Sequence, residues 1–417
     1  MVGLADCNNF FVSCERTLDP SLEGRAVVVL SNNDGCVVAR SNEAKRLGIR
    51  MGQPAFQIRD LLVSGECIAL SGNHLLYREI SIRIHDILRR YTPSTQDYSV
   101  DEAFLDMTGF PLESLQMIGE QMRKACWEEE HIPVTIGFAP TKTLAKLATE
   151  SGKKSGRSVV VFADAADASE LMASLPIREL WGVGRRLAKR LYQKGVYTIA
   201  DFAAKDRMWV NSLMGIVGER SWCELHGQPC IEQSHLERPM QDSISETRTF
   251  PIDVDDFDYL RSRIVMYCSH VARRLRVMDG VSGEITVFMS SNRFHTERGY
   301  VSPSMSAVLN PPTDDTAAIV AAGVSLAETI YDPHYAYKRA GVILSKIAPR
   351  KVQAPTLFEE IEQERLANER SHKLMQAIDK VNQGKSKMVV KLATELSKIH
   401  PGHNDGYSSS FGPAKPL

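Results

Sequence analysis

The order of predicted elements between residues 1 and 139 constrains the fold more than any other feature of the chain. The apolar run VGLA predicts a buried strand, and apolar residues at three- and four-residue spacings predict a helix from Leu75 to Tyr91, closed by Pro93. A hairpin of STQDYSV and AFLDM follows, then a helix over about 114–129 and the strand VTIGFA. Without residues 11–72, these elements form β-α-β-β-α-β, the split βαβ arrangement.

Three carboxylates lie at strand ends in this arrangement. Asp6 ends the first strand, and Asp101 and Glu102 begin the third. These two strands are antiparallel neighbours in a split βαβ sheet, so we expect the end of one to lie beside the start of the other. Buried carboxylates must pair, take up a proton or bind a metal ion. The pattern therefore predicts a three-carboxylate site for Mg²⁺, although Asp-Glu in isolation would indicate only a solvated turn.

Residues 11–72 interrupt this unit. The strands VVVL and CVVAR flank the turn SNNDG, a combination that predicts a hairpin. The next segment, SNEAKRLGIRMG, predicts a helix that carries Lys45 and is stopped by Gly48 and Gly52.

Two basic segments follow the first unit. TKTLAKLATESGKKSG predicts a helix with several lysines, and it is not a P-loop because Leu147 stands where that loop requires a glycine. LPIRELWGVGRRLAKRLYQKGVYTIADFA predicts two helices joined by a turn at Gly182 and Gly184, with Arg185 and Arg186 directly after it. Backbone N–H groups at such a turn can bind a phosphate oxygen. The segment is typical of a helix-hairpin-helix, which contacts the DNA backbone without reading bases.

A second β-α-β-β-α-β unit is predicted from about residue 243 to Pro349. Its strands are SISETRTF, EITVFMS, VSPSMSAV and AYKRAGVILSKI, and its second helix is predicted to begin at a Thr313 cap and to end near Ile330. The equivalent hairpin has no carboxylate pair. The arginines of its long helix indicate either a solvated face or a phosphate-binding surface, and the neighbouring hairpin favours the second. They are Arg261, Arg263, Arg273, Arg274 and Arg276.

Composition excludes several classes of protein. The formal net charge is −1 and the pI is near 6.8, so any nucleic-acid surface must be local. The eight cysteines include no Cys-x-x-Cys pair, which predicts reduced thiols and a cytoplasmic protein. No segment approaches the roughly 20 apolar residues of a membrane span.

Four segments, in this order and spacing, resemble the Y-family translesion DNA polymerases: DCNNFFVSCE, SNEAKRLGIRMG, YSVDEAFLD and TKTLAKLATESGKKSG. SNNDGCVVAR and WGVGRR are most similar to the UmuC-like branch, the catalytic subunits of DNA polymerase V. The resemblance implies an α+β multidomain right-hand polymerase with a ferredoxin-like palm and a helical thumb. Its implied domains are a palm (1–10 and 73–165), fingers (11–72), a thumb (166–232), a βαββαβ little finger (240–349) and a tail (350–417).

The resemblance also implies roles for individual residues. Asp6, Asp101 and Glu102 would be the catalytic residues and hold two Mg²⁺ ions, with the Cys7 carbonyl as a further ligand. Phe11 would be the steric gate against ribonucleotides.

Further roles concern the incoming nucleotide. Phe10 would lie beside the gate, although its own position indicates core packing. Lys45 and Lys153 would bind the triphosphate. Asn42 replaces a tyrosine of many relatives, and Arg40 is expected to compensate.

The implied function is error-prone, template-directed DNA synthesis past lesions in the bacterial SOS response, without proofreading. The implied partners are primer-template DNA, the incoming deoxynucleotide, a processed UmuD-like dimer, the RecA filament and a sliding clamp, in a cytoplasmic, nucleoid-associated protein. Gln353, Leu357 and Phe358 would bind the clamp, with the glutamine one residue further away than in the common peptide. Two alternatives remain from the residues alone: a nucleotide cyclase-like phosphotransferase that uses the same carboxylates, and a non-catalytic DNA-binding scaffold.

Overall fold

The structure is a computed structural model that describes residues 1–31, 35–231, 241–294, 299–350 and 362–382. Its contacts divide the chain into two compact units, one containing the described residues up to 231 and the other those from 241 onward. Within the described ranges, no helix has the length and apolar character that crossing a membrane requires.

The elements of the first unit are, in chain order, β1 (Val2–Cys7), α1 (Phe10–Leu18), β2 (Val27–Leu30), β3 (Val37–Arg40), α2 (Asn42–Arg46), α3 (Arg59–Val63), β4 (Ile68–Ser71), α4 (His74–Leu88), β5 (Thr95–Asp97), β6 (Glu102–Asp106), α5 (Leu112–Glu130), β7 (Val134–Ala139), α6 (Lys142–Ser155), β8 (Val159–Val161), α7 (Ser169–Ser174), α8 (Arg185–Tyr192), α9 (Ile199–Ala203) and α10 (Arg207–Leu225).

The main sheet has the strand order β5-β6-β1-β7-β8, and β6 and β7 are both antiparallel to β1. The split βαβ prediction is therefore confirmed. Sequence reasoning missed the fifth strand, β8, which pairs in parallel with β7. Three consecutive valines carry too little pattern to separate a short edge strand from a loop.

The two faces of β1 have different surroundings because side chains alternate along a strand. Ala5 and Cys7 belong to the core that also contains the buried residues of α4 and α5, whereas Leu4 packs with the buried residues of α6. Asp6 lies on the Leu4 face by the same alternation, so α6 is the helix that can reach it.

Helix α6 lies unusually close to the sheet. A Cβ atom at Gly137 of β7 would stand 2.6 Å from the Ala145 carbonyl oxygen, closer than van der Waals contact allows. The Thr149 hydroxyl donates to the Leu4 carbonyl at 3.3 Å, and it also donates to the Ala145 carbonyl. The missing side chain at Gly137 therefore permits the position of α6.

A smaller sheet, β3-β2-β4, contains the predicted hairpin of β2 and β3. Strand β4 pairs in parallel with β2 and was not predicted. Gly48 and Gly52 both have positive φ angles, 79° and 74°, which explains why the chain turns after α2 at these residues.

The predicted helical hairpin differs from expectation in its first helix. Before the Gly182–Gly184 turn lies a single 3-10 turn, Ile177–Glu179, instead of an α-helix. The second helix, α8, begins at Arg185 as expected. Helix α10 is kinked at Gly215, whose φ of 69° is outside the helical range.

Glu224 near the end of α10 is fully buried and connects that helix to α6. Its carboxylate accepts hydrogen bonds from the backbone N–H groups of Thr143 at 2.8 Å and Cys230 at 3.0 Å. A carboxylate at a helix N-terminus also interacts favourably with the helix dipole. Glu224 thus joins the start of α6 to the end of α10 and to the segment at Cys230.

The second unit comprises β9 (Ser243–Val254), α11 (Phe257–Val277), β10 (Gly280–Ser291), β11 (Ser304–Thr313), α12 (Thr316–Ile330), β12 (Tyr337–Pro349) and α13 (Glu362–Asn382). The predicted succession of elements is confirmed, and the strand order is β11-β10-β12-β9. In both sheets another strand lies between the first two strands of the β-α-β-β-α-β unit. Here that strand is β12, the fourth of the unit, whereas in the main sheet it is β6, the third. The α12 cap is Asp315, which accepts from the Ala318 N–H, instead of Thr313.

Helix α13 packs on this unit through charged side chains. Arg276, whose side chain is 5% exposed, donates to both carboxylate oxygens of Asp379 at 2.7 and 3.0 Å. His372 contacts Asp314 at 2.9 Å. The interpretation of Arg276 as part of a phosphate-binding face is therefore wrong, because its guanidinium is buried in this contact.

Candidate active site

Asp6 and Glu102 are directly opposite each other in the β1–β6 ladder. The Cys7 N–H donates to the Asp101 carbonyl at 2.9 Å and extends the pairing by one step. Strand pairing therefore brings together the three predicted carboxylate residues. Burial raises the pKa of the Cys7 thiol far above its usual value, so the thiolate is not available as a ligand there.

The hairpin loop between β5 and β6 is organised by Ser99. Its hydroxyl donates to an Asp101 carboxylate oxygen at 2.5 Å and accepts from the backbone N–H groups of Asp101 and Glu102. The backbone of Asp101 thus lies beside β1, while its carboxylate is hydrogen-bonded within its own loop.

Two lysines of α6 neutralise the other two carboxylates. Lys153 donates to Asp6 at 2.5 Å, and Lys146 donates to Glu102 at 2.8 Å. The two lysines are seven positions apart, which places both on one helix face two turns apart. A cavity of about 310 Å³ is lined by these four side chains and by Trp181.

Burial raises the pKa of Asp6 from 3.8 to about 7. Lys153 opposes this shift through its charge and its hydrogen bond, whereas the neighbouring Glu102 adds to it. Asp6 is 9% exposed, so desolvation of the charged form is the dominant cause. The ionised form of Asp6 is therefore stabilised only where a cation lies next to it, as Lys153 does here.

The donor groups of the site suit a divalent metal ion. Carboxylate and carbonyl oxygens are the ligands that Mg²⁺ prefers. At both Asp6 and Glu102 a lysine ammonium group supplies the positive charge that a metal ion would bring. Among the described residues, no three acidic, histidine or cysteine side chains are already grouped as metal ligands. The residue types fit Mg²⁺, while Ser99 holds the third carboxylate.

More cations face the site from the region of α2. Burial lowers the pKa of Lys45, and the nearby charges of Arg40 and Lys153 lower it further. Asn42 accepts hydrogen bonds at 3.1 Å from both Lys45 and Asn9. Arg40 donates to the Ile49 carbonyl. Ammonium and guanidinium groups that repel one another beside the site favour an anionic ligand.

The two adjacent phenylalanines have different surroundings. Phe10 is 3% exposed and belongs to the hydrophobic core, in agreement with its core interpretation. Its role in nucleotide binding stays a prediction. Phe11 is half-buried, and its ring stacks on Tyr77 with centroids 4.3 Å apart. The Tyr77 hydroxyl donates to the buried carboxylate of Glu15 at 2.6 Å. Packing on Tyr77, which Glu15 itself holds, therefore fixes one face of the Phe11 ring.

The hairpin residues lie at the surface. Gly182 has a φ of 87°, and Gly182, Gly184, Arg185 and Arg186 are all exposed. Gln353, Leu357 and Phe358 lie outside the described residues. Sequence reasoning did not assign Lys146, Ser99 or Trp181 to the site. Only Lys146 had a usable signal, its seven-residue spacing from Lys153.

Solved structures resemble this fold. A Y-family DNA polymerase chimera of Dbh and Dpo4 matches with a TM-score of 0.67 and 24% identity, covering 83% of this chain and 98% of its own. An insertion ternary complex of Dbh DNA polymerase matches with a TM-score of 0.51 and 23% identity, over 83% and 98% of the two chains. The architecture is thus the Y-family polymerase fold.

Sequence comparisons give the family. The model of the impB/mucB/samB family matches residues 5–150. The model of the family's C-terminal domain matches residues 241–357, and the model of the family's HHH motif matches residues 165–196. Protein ImpB of Salmonella typhimurium is 34% identical over 93% of this chain and 92% of its own length. DNA polymerase IV of Moorella thermoacetica is 30% identical over 94% and 96%. The chain belongs to the impB/mucB/samB family, within the UmuC-like Y-family polymerases.

Proposed function

We propose that this protein is a template-directed DNA polymerase of the error-prone translesion type. The observation that carries the proposal is the facing pair Asp6 and Glu102 with a lysine on each, beside further cations at Lys45 and Arg40. Family membership and the fold support the same activity. The substrates are a primer-template and a deoxynucleoside triphosphate.

In this proposal Asp6, Asp101 and Glu102 hold two Mg²⁺ ions together with the Cys7 carbonyl. The chemistry that such ions supply is activation of the primer 3′-hydroxyl and stabilisation of both ends of the displacement. Lys45, Lys153 and Arg40 bind the triphosphate.

The remaining groups orient the substrates. Phe11, backed by Tyr77, limits space beside the sugar, and Arg185 and Arg186 bind the duplex backbone. The protein therefore contributes position and charge more than covalent chemistry.

Asp101→Asn tests the assignment. We expect loss of primer extension with Mg²⁺, while binding to primer-template DNA changes little because the substitution leaves the hairpin arginines Arg185 and Arg186 in place. Asp60→Asn, an exposed change on α3, is the matched control. Normal extension by Asp101→Asn would exclude this site, and absence of extension by the unmodified protein, alone and with its partners, would favour a DNA-binding scaffold.

We also propose the partners that the family resemblance implies: a sliding clamp bound by Gln353, Leu357 and Phe358, a processed UmuD-like dimer and the RecA filament. Replacing Leu357 and Phe358 by alanine should abolish stimulation of extension by the clamp and leave clamp-independent extension unchanged. Equal stimulation of both proteins would refute the clamp assignment. Extension on lesion templates, with and without the other two partners, tests whether they are required.

A further inference from the structure

Two aromatic rings from distant parts of the first unit surround the Lys146 ammonium. Its Nζ lies 4.8 Å from the centroid of the Tyr98 ring and 5.5 Å from that of Trp181. Tyr98 begins the hairpin loop that carries Asp101, and Trp181 immediately precedes the Gly182 turn. The two rings and Glu102 thus form the surroundings of one cation.

The rings hold each other in place. The Trp181 indole N–H donates to the Tyr98 hydroxyl at 2.9 Å, and the ring planes are nearly perpendicular, at 89°. Phe104 packs against both rings. A cation over aromatic faces is attracted by the ring quadrupole, most strongly where solvent is partly excluded. The Lys146 side chain is 20% exposed, so the rings favour the ammonium in this position.

The same ammonium is the counter-ion of Glu102. The pair is mostly buried, with the Glu102 side chain 17% exposed, and Lys153 has the corresponding role at Asp6. Each of these two carboxyl groups therefore has a lysine ammonium beside it before any metal ion arrives. A divalent cation binding at Glu102 must compete with Lys146, and everything that holds Lys146 in place weakens the affinity for that cation.

We propose that Trp181 and Tyr98 are positioning residues that hold Lys146 as an internal counter-cation on Glu102, and that the Trp181 side of the hairpin thereby lowers the metal affinity of the free protein. This inference rests on the metal-binding role of the carboxylates in the proposed function. It adds a role for Trp181 in tuning metal affinity, distinct from stacking on a DNA base.

Mn²⁺ binding to the free protein, measured from the electron paramagnetic resonance signal of unbound Mn²⁺, tests the proposal without DNA, nucleotide or turnover. Lys146→Met removes the competing charge and keeps an apolar stem, so Mn²⁺ should bind about tenfold more tightly, as expected for loss of one neighbouring charge. Trp181→Leu should tighten binding about threefold, the size of one cation–π contact. Trp181→Phe keeps a ring without the indole N–H and should lie between Trp181→Leu and the unmodified protein.

Matched controls come from the same unit. Lys154→Met changes an exposed lysine of α6 whose pairing with Glu150 is long, at 3.9 Å, and Trp127→Leu changes an exposed tryptophan of α5. Both should leave Mn²⁺ affinity unchanged. Circular dichroism identifies any variant that has lost its fold, in which case Trp181→Phe carries the test.

The outcomes distinguish failure of the counter-cation proposal from failure of the metal-site assignment. If Asp6→Asn abolishes Mn²⁺ binding but Lys146→Met binds Mn²⁺ no more tightly than the unmodified protein, the counter-cation proposal is overturned and the metal site stands. If Asp6→Asn and Glu102→Gln leave Mn²⁺ binding unchanged, the metal assignment itself fails and this inference fails with it.

Discussion

Phe11 shows how a single ring can be fixed by residues that never meet the substrate. Its stacking on Tyr77, and the Tyr77–Glu15 hydrogen bond behind it, restrict the ring far more than a lone surface phenylalanine would be restricted. If this ring excludes the ribose 2′-hydroxyl, removing it should relax sugar selection by at least tenfold, the effect of a steric penalty above about 1.4 kcal/mol.

The measurement compares incorporation of ribonucleotides and deoxynucleotides by Phe11→Ala in single-nucleotide primer extension. Phe10→Leu is the matched control, because Phe10 is a core residue whose loss should lower stability without altering sugar preference. Unchanged sugar discrimination in Phe11→Ala would place the gate elsewhere.

Glu15 gives a prediction about pH. Burial raises the pKa of its carboxyl above 4.5, although the Tyr77 hydrogen bond opposes the shift. A raised pKa in the folded state means that the carboxyl stabilises the fold fully below pH 4.5, and that this contribution is lost as the pH rises through the folded-state pKa. Glu15→Gln keeps an acceptor for Tyr77 and removes the buried charge, so it should increase the free energy of unfolding at pH 7.5.

Urea unfolding of Glu15→Gln and of the unmodified protein at pH 4.5 and pH 7.5 measures this difference, which should shrink at the lower pH. Glu66→Gln, in an exposed loop before β4, is the control. A difference that grows toward acid pH would contradict the assigned direction of the pKa shift.

At the scale of residues, the sequence predicted what depends on local pairing and missed what depends on distant packing. Asp6 and Glu102 could be placed together because the element order implies neighbouring strands and the register places the two residues opposite each other. Trp181 reaches Tyr98 and Lys146 only after three separate segments have packed, and no periodicity along the chain encodes such a meeting.

Among the elements, α6 has the greatest influence on the site because it supplies both paired lysines. Gly137→Ala should push the helix away from β7, since the added Cβ would overlap backbone atoms of α6 that cannot move independently. Overpacking of this kind costs about 1–3 kcal/mol of stability. We also expect loss of extension activity larger than the loss of folded protein.

Thermal unfolding and extension rates at a temperature where both proteins are folded measure the two effects. Gly283→Ala in β10 is the control, because its added Cβ would meet its nearest neighbour at 3.5 Å, an ordinary contact distance. Wild-type stability and activity in Gly137→Ala would show that α6 can shift without consequence.

The elements that the sequence missed share a physical cause. Strands β4 and β8 are short and pair in parallel with strands from which at least one helix separates them in the chain, so their stability comes from partners instead of from their own pattern. In the second unit the same element succession gives another strand order, because the succession alone does not specify which strand occupies the central position. In the second unit the type of each element was therefore predictable, but the order of the strands in the sheet was not.

For the molecule as a whole, a net charge of −1 means that DNA affinity must arise from local cations. The affinity for primer-template DNA should fall linearly with the logarithm of salt concentration because phosphate contacts release counterions. Replacing Arg185 and Arg186 by alanine should reduce the magnitude of that slope by about two, one for each phosphate contact.

Fluorescence anisotropy with labelled DNA across a salt series measures the slope. Lys124→Ala, an exposed lysine of α5 paired with Glu128, should not alter it. A slope that is the same for the double variant and the unmodified protein would remove the hairpin arginines from the DNA-binding surface.

The alternation of side chains along β1 also limits how this protein can evolve. Substitutions in β1 affect one face at a time, but deletion or insertion of one residue between Val2 and Asp6 would exchange the two faces. Asp6 would then enter the apolar core beside α4 and α5, and an apolar neighbour would face Glu102 across the sheet. We therefore expect related chains to vary freely in loop length elsewhere, while the number of residues in this strand remains constant.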